Sequence, residues 1–514
     1  MNLTPAFPYY ASSFSAGALV LFIELAGARW LAPSFGSGLD VWASLLTVTL
    51  LALALGAWGG GVLADRNPRV KTLSFLWFAV AASMALLLPF RNPLLNLTQR
   101  LAPGWGALLS AMGLYLPALV LLAAVAPLAV RLAAPTPETV GRVVGRYSAV
   151  GTAGSCLGAL VTGFVLVPQF PLTRLFAGAS LTAALVGLVL LPGALRRAAP
   201  VASVLIWAGF LFILSTPRPF RNLAGEEGVL MIQDVRQSLY GQVRVMETSS
   251  SRYLFLDGIL QGGQEVRDGT TIASYSMMME ALGRAIVPRP QRVLVVGLGA
   301  AILPNRMKAL GAHVDVVEIN PQVADVAQKW FGFSPGPGEL HVEDGRHFLR
   351  DAQGPYDLIF LDTFSGEEVP GHLVTVETFR RCRELLGPQG ALVLNYIGTA
   401  TGPRSAVPGA VAATLKRAFG SVEMFALGKT GERDNLAMVA RPEAGPWGAV
   451  PTDVPGPPEE RGKLPHLLEY QKPIPPSDKV FTDDWHPLDW LDRLTRQEWR
   501  QDAMQFMNQY GVDG

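Results

Sequence analysis

The chain has 514 residues, half of them hydrophobic and only 16% charged, with a mean hydropathy of +0.30. Soluble proteins carry about 25% charged residues, so disorder, collagen and a small disulfide scaffold are excluded and a membrane-embedded part is indicated. The net charge of +1 hides an asymmetry: residues 1–220 hold 13 Lys/Arg against four acids (Glu24, Asp40, Asp65, Glu138), net +9, and the rest is net −8.

Seven apolar stretches are long enough, or nearly so, to cross a bilayer: 9–28, 41–63, 72–90, 107–130, 147–168, 173–191 and 200–216, the last one short. The first is no cleaved signal peptide, because it lacks a basic leader and further spans follow. Small residues such as Gly151, Gly154, Gly158 and Gly163 predict close helix approach. Glu24 lies inside the first span, near Arg29, and reads either as a functional intramembrane acid or as half of a structural pair. Gly59 to Arg66 reads as a loop between spans two and three, of the kind seen in major facilitator transporters.

From Gln237 the pattern changes. Gly241–Met246 and Tyr253–Leu256 alternate as hairpin strands, and a helix is expected near 271–286. Strands then alternate with helices: Val293–Val296, Val314–Ile319, Leu340–Val342, Leu358–Leu361, Ala391–Asn395, Val422–Leu427 and Ala437–Ala440. That alternation predicts a mostly parallel, doubly wound sheet. Residues 442–476 are rich in Pro and Gly and read as a loop or linker, and Pro487 to Tyr510 has helical composition, with Trp490, Leu491 and Leu494 on one stripe. The expected domains are 1–220 (transmembrane), 221–290 (β subdomain), 291–441 (Rossmann-like), 442–480 (linker) and 481–514 (helical tail). Cys156 and Cys382 support no disulfide, the six histidines all follow residue 300, and none has zinc spacing, so no metal is expected. The acidic soluble half argues against nucleic acid as a partner.

The chemistry lies at strand ends. Val293 to Val296 runs into Gly297-Leu298-Gly299, a turn that lets backbone approach a nucleotide; the third glycine of a dinucleotide fingerprint is replaced by Ile302. Glu318 ends the second strand, where a carboxylate accepts both ribose hydroxyls. Asp344-Gly345 ends the third and Asp362 the fourth. Gly, Glu, Asp and Asp in this order suggest an adenosyl site, against the alternative that the acids cap helices.

These motifs, with Tyr240-Gly241-Gln242-Val243, Leu256-Asp257-Gly258-Ile259-Leu260-Gln261 and Tyr275, resemble spermidine synthases over roughly residues 235–440. Phe35-Gly36-Ser37, Gly154-Ser155-Cys156-Leu157-Gly158, Gly163 to Pro168, Asp362-Thr363-Phe364-Ser365-Gly366, His372-Leu373 and Thr482-Asp483-Asp484 resemble the membrane-fused spermidine-synthase-like proteins of bacteria. The resemblance implies a multi-pass α-helical membrane domain followed by a small β-hairpin subdomain and an α/β Rossmann-like domain of the class I S-adenosylmethionine transferase type. It implies decarboxylated S-adenosylmethionine as co-substrate, a polyamine-type acceptor and a homodimer. Gly297, Gly299, Glu318, Asp344, Gly345 and Gln242 would bind the donor. Tyr275, Gln261, Asp362 and Ser365 would bind the acceptor, with Asp362 as the base.

The departures bear on the acceptor. Spermidine synthases carry an acid where this chain has Ala300, a second acceptor carboxylate where it has Ser365, Gln where it has Gly241, and His or Gln where it has Ser276. Losing the acid at 300 removes a repulsion against the carboxylate of intact S-adenosylmethionine. Glu367 and Glu368 are candidate replacements for the lost carboxylate, or a solvated turn, and Asp483 and Asp484 either fold over the site or cap a helix. Three readings stand: an aminopropyltransferase with an altered acceptor site, an S-adenosylmethionine-dependent methyltransferase, and a non-catalytic nucleoside- or polyamine-binding sensor or transporter module. Loop charges with seven spans place the soluble half outside. Donor supply, which is cytoplasmic, places it on the cytoplasmic face of the cell membrane, and that is the expectation adopted.

Overall fold

The computed structural model describes residues 7–36, 38–99, 101, 104–133, 140–191, 209, 224–225, 228–364, 369–402, 404–429 and 431–509. The seventh apolar stretch, apart from Gly209, and Ser37, Ser365, Gly366, Glu367 and Glu368 lie outside the described residues. The chain divides into two units, Met1–Pro219 and Phe220–Gly514.

In the first unit the apolar runs form six long helices: α1 (Phe7–Phe35), α2 (Leu39–Arg66), α3 (Val70–Thr98), α4 (Trp105–Ala133), α5 (Val140–Val161) and α6 (Leu172–Leu190). A π-helical turn, Thr162–Leu166, carries α5 on to Gln169. Among the described residues, six helices are long and apolar enough to cross a membrane. Gly59 to Arg66 forms the last two turns of α2 rather than a loop. The reason is packing. A Cβ at Gly56 would lie 2.4 Å from the Val120 carbonyl oxygen of α4, and one at Gly60 2.6 Å from Ala124 Cα. Glu24 is buried on α1, and Arg29 is half-buried one turn on. Serines tie the helices together: Trp77 Nε1 donates to Ser12 Oγ at 2.7 Å, and Ser180 Oγ to the Ala81 carbonyl at 2.6 Å.

α1 and α5 meet backbone to backbone. A Cβ at Gly154 would sit 2.1 Å from the Phe14 carbonyl oxygen, and one at Gly17 would sit 2.0 Å from the Gly151 carbonyl oxygen. Gly154→Val must therefore push the two helices apart. The expected cost is about 1–3 kcal/mol, read as a lowered thermal midpoint of the detergent-purified protein. An unchanged midpoint would refute this packing.

The second unit begins with an antiparallel sheet in the order β1 (Met231–Ser238), β2 (Gly241–Glu247), β3 (Ser251–Leu256), β4 (Ile259–Glu265). Its two faces differ. Val243, Val245, Leu254 and Leu256 pack with Ala300, Val323, Val326 and Phe331, and Met246, Tyr253 and Phe255 pack with Leu230 on the other side. After α7 (Ser274–Ile286) come β5 (Arg292–Val296), α8 (Ile302–Ala309), β6 (His313–Val317), α9 (Pro321–Trp330), β7 (Leu340–His341), α10 (Gly345–Asp351), β8 (Tyr356–Leu361), α11 (Val376–Leu385), β9 (Leu386–Thr399), α12 (Ala406–Phe419), β10 (Glu423–Phe425), β11 (Arg433–Ala440) and β12 (Gln471–Lys472).

The large sheet runs β12-β10-β11-β9-β8-β5-β6-β7. Strands β9, β8, β5, β6 and β7 are parallel, and β11 inserts antiparallel beside β9. This is a Rossmann-like, doubly wound sheet with two antiparallel strands, β11 and β12, towards one edge. Its order reverses at β5, which has β6 on one side and β8 on the other. Ligands bind at such a switch point, outside the carboxyl ends of the strands.

The stretch 442–476, expected to be a loop, is mostly irregular and exposed but is anchored at a few buried points. Val454, Leu464 and Leu467 are buried with β5 and β11, Trp447 Nε1 donates to Glu423 Oε2 at 2.9 Å, and β12 extends the sheet edge. Its prolines and glycines stop long elements from forming but do not stop burial. The tail divides at Asp492 into a short helix, Leu488–Leu491, and α13 (Arg493–Gln509).

Candidate active site

The β5–α8 turn is held in left-handed backbone, at φ 96° for Gly297, 49° for Gly299 and 57° for Ala301. Gly297 is required twice over. A Cβ there would also stand 2.0 Å from the Asp362 carbonyl oxygen. The absence of a side chain thus lets the ends of β5 and β8 close at the switch point, and Asp362 N donates to Val296 O at 2.9 Å.

Asp362 follows β8 and is half-buried. Asn395 Nδ2, near the middle of β9, donates to its Oδ1 at 2.8 Å. The Tyr275 hydroxyl, from α7, is within reach of both the Asp362 carboxylate and the Gln261 carbonyl oxygen, the latter at 3.2 Å. It has one proton and donates to one at a time. Burial raises the Asp362 pKa to about 6, and the hydrogen bonds from Asn395 and Tyr275 work in the opposite direction. A carboxyl group poised there exchanges protons near neutral pH.

Glu318, just past β6, is buried. Its Oε2 accepts from Leu298 N at 3.1 Å and its Oε1 from Asn320 N at 2.8 Å. Burial raises its pKa, and the backbone donors, Asn320 and Leu298 among them, hold it down. The side chain thus ties the glycine turn to the next strand end.

Asp344 is a helix cap. Its Oδ1 accepts from Arg346 N at 2.8 Å and His347 N at 3.1 Å, starting α10 at Gly345, and its Oδ2 faces His372 Nε2 at 3.1 Å. Ile319 and Val342, 37% and 48% exposed, stand beside Glu318 and Asp344 as open apolar surface.

The structure thus brings Gly297, Gly299, Glu318, Tyr275, Gln261 and Asp362 to the crevice around the β5 and β8 ends, with Asp344-Gly345 two strands along. Gln261 contributes its backbone, since its Nε2 turns to the Ile259 carbonyl at 3.3 Å. Gln242 does not join the group. Its neighbours Val243 and Val245 face the Rossmann-like core, so its own side chain takes the other face of the sheet, where its Oε1 accepts from Arg244 Nε. Asn395 is not singled out by the sequence, His372 stands there only within the His372-Leu373 motif, and Asp483 is expected either to fold over the site or to cap a helix. Asn395 was visible only as a polar residue ending an apolar strand run. Asp483 pairs with Arg346 at 2.7 Å and accepts from Thr375 Oγ1 at 2.7 Å, which fastens the tail to α10 and α11. Among the described residues no cluster has the composition of a metal site.

No family model matches the chain. A polyamine aminopropyltransferase of Vibrio vulnificus is 34% identical over 168 residues, 31% of this chain and 54% of the relative. Over that segment the chain is similar to aminopropyltransferases. An N-terminal histidine N-methyltransferase of Emericella nidulans is 26% identical over 258 residues, 43% of this chain and 46% of the relative. The chain spans about half the length of these curated relatives. A probable spermidine synthase of Corynebacterium glutamicum has a TM-score of 0.38 and 17% identity, covering 51% of this chain and 92% of that one.

Proposed function

We propose that the chain is a membrane-anchored, aminopropyltransferase-like enzyme that moves an aminopropyl group from decarboxylated S-adenosylmethionine to an amine. The observation that carries this reading is the half-buried Asp362 at the switch point, held by Asn395 and Tyr275 beside the Gly297 turn. The Vibrio vulnificus relative supports it.

In this reading Glu318 accepts the ribose hydroxyls, Asp344 meets the adenine amino group, and Ile319 and Val342 flank the base. An ammonium has no lone pair, so it must first give a proton to Asp362. The amine nitrogen then attacks the carbon bonded to the sulfonium sulfur. The C–S bond breaks, its electrons go to sulfur, and methylthioadenosine leaves. Tyr275 and Gln261 line the groove, and positioning supplies most of the rate.

Methyl transfer from intact S-adenosylmethionine is the second reading. It is favoured by the buried Ala300, which brings no acid against a donor carboxylate, and by the methyltransferase relative. One assay separates the two: purified protein with decarboxylated donor and a panel of amines, and in parallel with intact donor and membrane extract. Amine-dependent methylthioadenosine supports the first reading. S-adenosylhomocysteine alone replaces it with the second.

The base must be ionised to work. Transfer should therefore fall as pH drops through about 6. Asn395→Ala removes a hydrogen bond that favours the carboxylate, so the acidic limb of kcat/KM should move to higher pH. A flat profile between pH 5 and 8 argues against Asp362 as base. The six long apolar helices support a bilayer anchor. We place the soluble unit on the cytoplasmic face, and a reporter after Gly514 that works only outside the cytoplasm reverses that assignment.

A further inference from the structure

The proposed donor residues run from the β5–β8 crevice towards β6 and β7. On the opposite side, at the ends of β9 and β11, lies α13. Asp492, just before it, accepts from the buried Tyr396 hydroxyl at 2.9 Å, and Tyr396 follows Asn395. Trp499 meets Phe364 edge to face, with ring centroids 5.7 Å apart, and Phe364 stands two residues after Asp362. Glu498 pairs with Arg404 and Asp502 with Arg433, which pins the helix to the segment after β9 and to the start of β11. The helix also packs beside β4, the strand of Gln261.

We infer that α13 is the acceptor-selecting wall of this site, and that its Phe364–Trp499 corner receives the apolar or aromatic tail of a monoamine. This rests on the reading of Asp362 as the base that meets the acceptor amine. A diamine needs a carboxylate for its second ammonium once water is excluded. The acids that the tail brings here, Asp492, Glu498 and Asp502, are engaged by Tyr396, Arg404 and Arg433. Among the described residues, what the Phe364–Trp499 pair adds at this end is aromatic surface, which gains most by covering an apolar tail.

The test is calorimetry on the full-length, detergent-purified chain saturated with methylthioadenosine, so that amine binding is read without turnover. Hexylamine and phenethylamine should bind at least tenfold tighter than butane-1,4-diamine. Trp499→Ala should weaken the monoamines at least tenfold and leave the nucleoside Kd within twofold. Trp499→Phe should recover part of the loss, and it decides the matter where Trp499→Ala also loses the nucleoside. A diamine bound as tightly as the monoamines, no amine binding, or monoamine affinity indifferent to Trp499 overturns the inference. Turnover is measured alongside. Binding as expected without transfer defeats the role of Asp362 and leaves the wall standing, whereas transfer that ignores Trp499 defeats the wall alone.

Discussion

Asp362→Asn should lower transfer by about 10²–10⁴-fold while making the protein more stable at neutral pH. The two effects have one cause. Burial lifts the carboxyl from its ordinary 3.8 to about 6, so the folded protein binds this proton more tightly than the unfolded chain does. Ionising Asp362 therefore costs stability. The cost grows as pH rises from about 4 to about 6 and is complete above that. Asparagine keeps an acceptor for Asn395 and carries no charge. The gain at pH 7.5 should be on the order of 3 kcal/mol, and it should vanish near pH 4. Thermal midpoints of both proteins at the two pH values, with product release at pH 7.5, check it. A variant that is inactive and also less stable at pH 7.5 would point to a structural role instead.

Gly297→Ala should cost about 3 kcal/mol or more and abolish nucleoside binding. The added methyl would need φ 96° and a space already held by the Asp362 carbonyl oxygen 2.0 Å away. Nothing flexible can yield, because both partners are backbone at the ends of buried parallel strands. Gly299 provides the contrast. Its φ is 49°, and the nearest atom to an added Cβ is the Gln261 carbonyl oxygen at 3.9 Å. Gly299→Ala should cost about 1 kcal/mol and leave a measurable nucleoside Kd. Equal losses in the two variants would mean that the close approach at Gly297 does not matter.

The division into an apolar, basic front and an acidic α/β back was legible from charge and hydropathy alone, because both are sums over local composition. The strand ends bearing Gly297, Glu318, Asp344 and Asp362 were also legible. Buried parallel strands are short apolar runs, and the residue that stops each run is the one that meets solvent. The chain cannot reveal which runs lie side by side. Asn395 reaches Asp362 only because β9 pairs in register with β8, placing Leu394 opposite Leu361. Gln242 illustrates the opposite failure: side chains alternate across a strand, and the packing of Val243 and Val245 sends it to the far face.

Proline and glycine content told that 442–476 forms no long element, but not that it covers the sheet edge, since burial depends on what is nearby in space. The same holds for α13. Its helical composition was readable, whereas its place beside Phe364 and Tyr396 depends on ion pairs, hydrogen bonds and ring contacts across 69 or more residues of chain. Sequence by itself determined the kinds of elements and the chemical groups at their ends, because these follow from local periodicity. Only the tertiary structure decided which groups meet, because strand pairing and face parity are set by contacts between residues far apart in the chain.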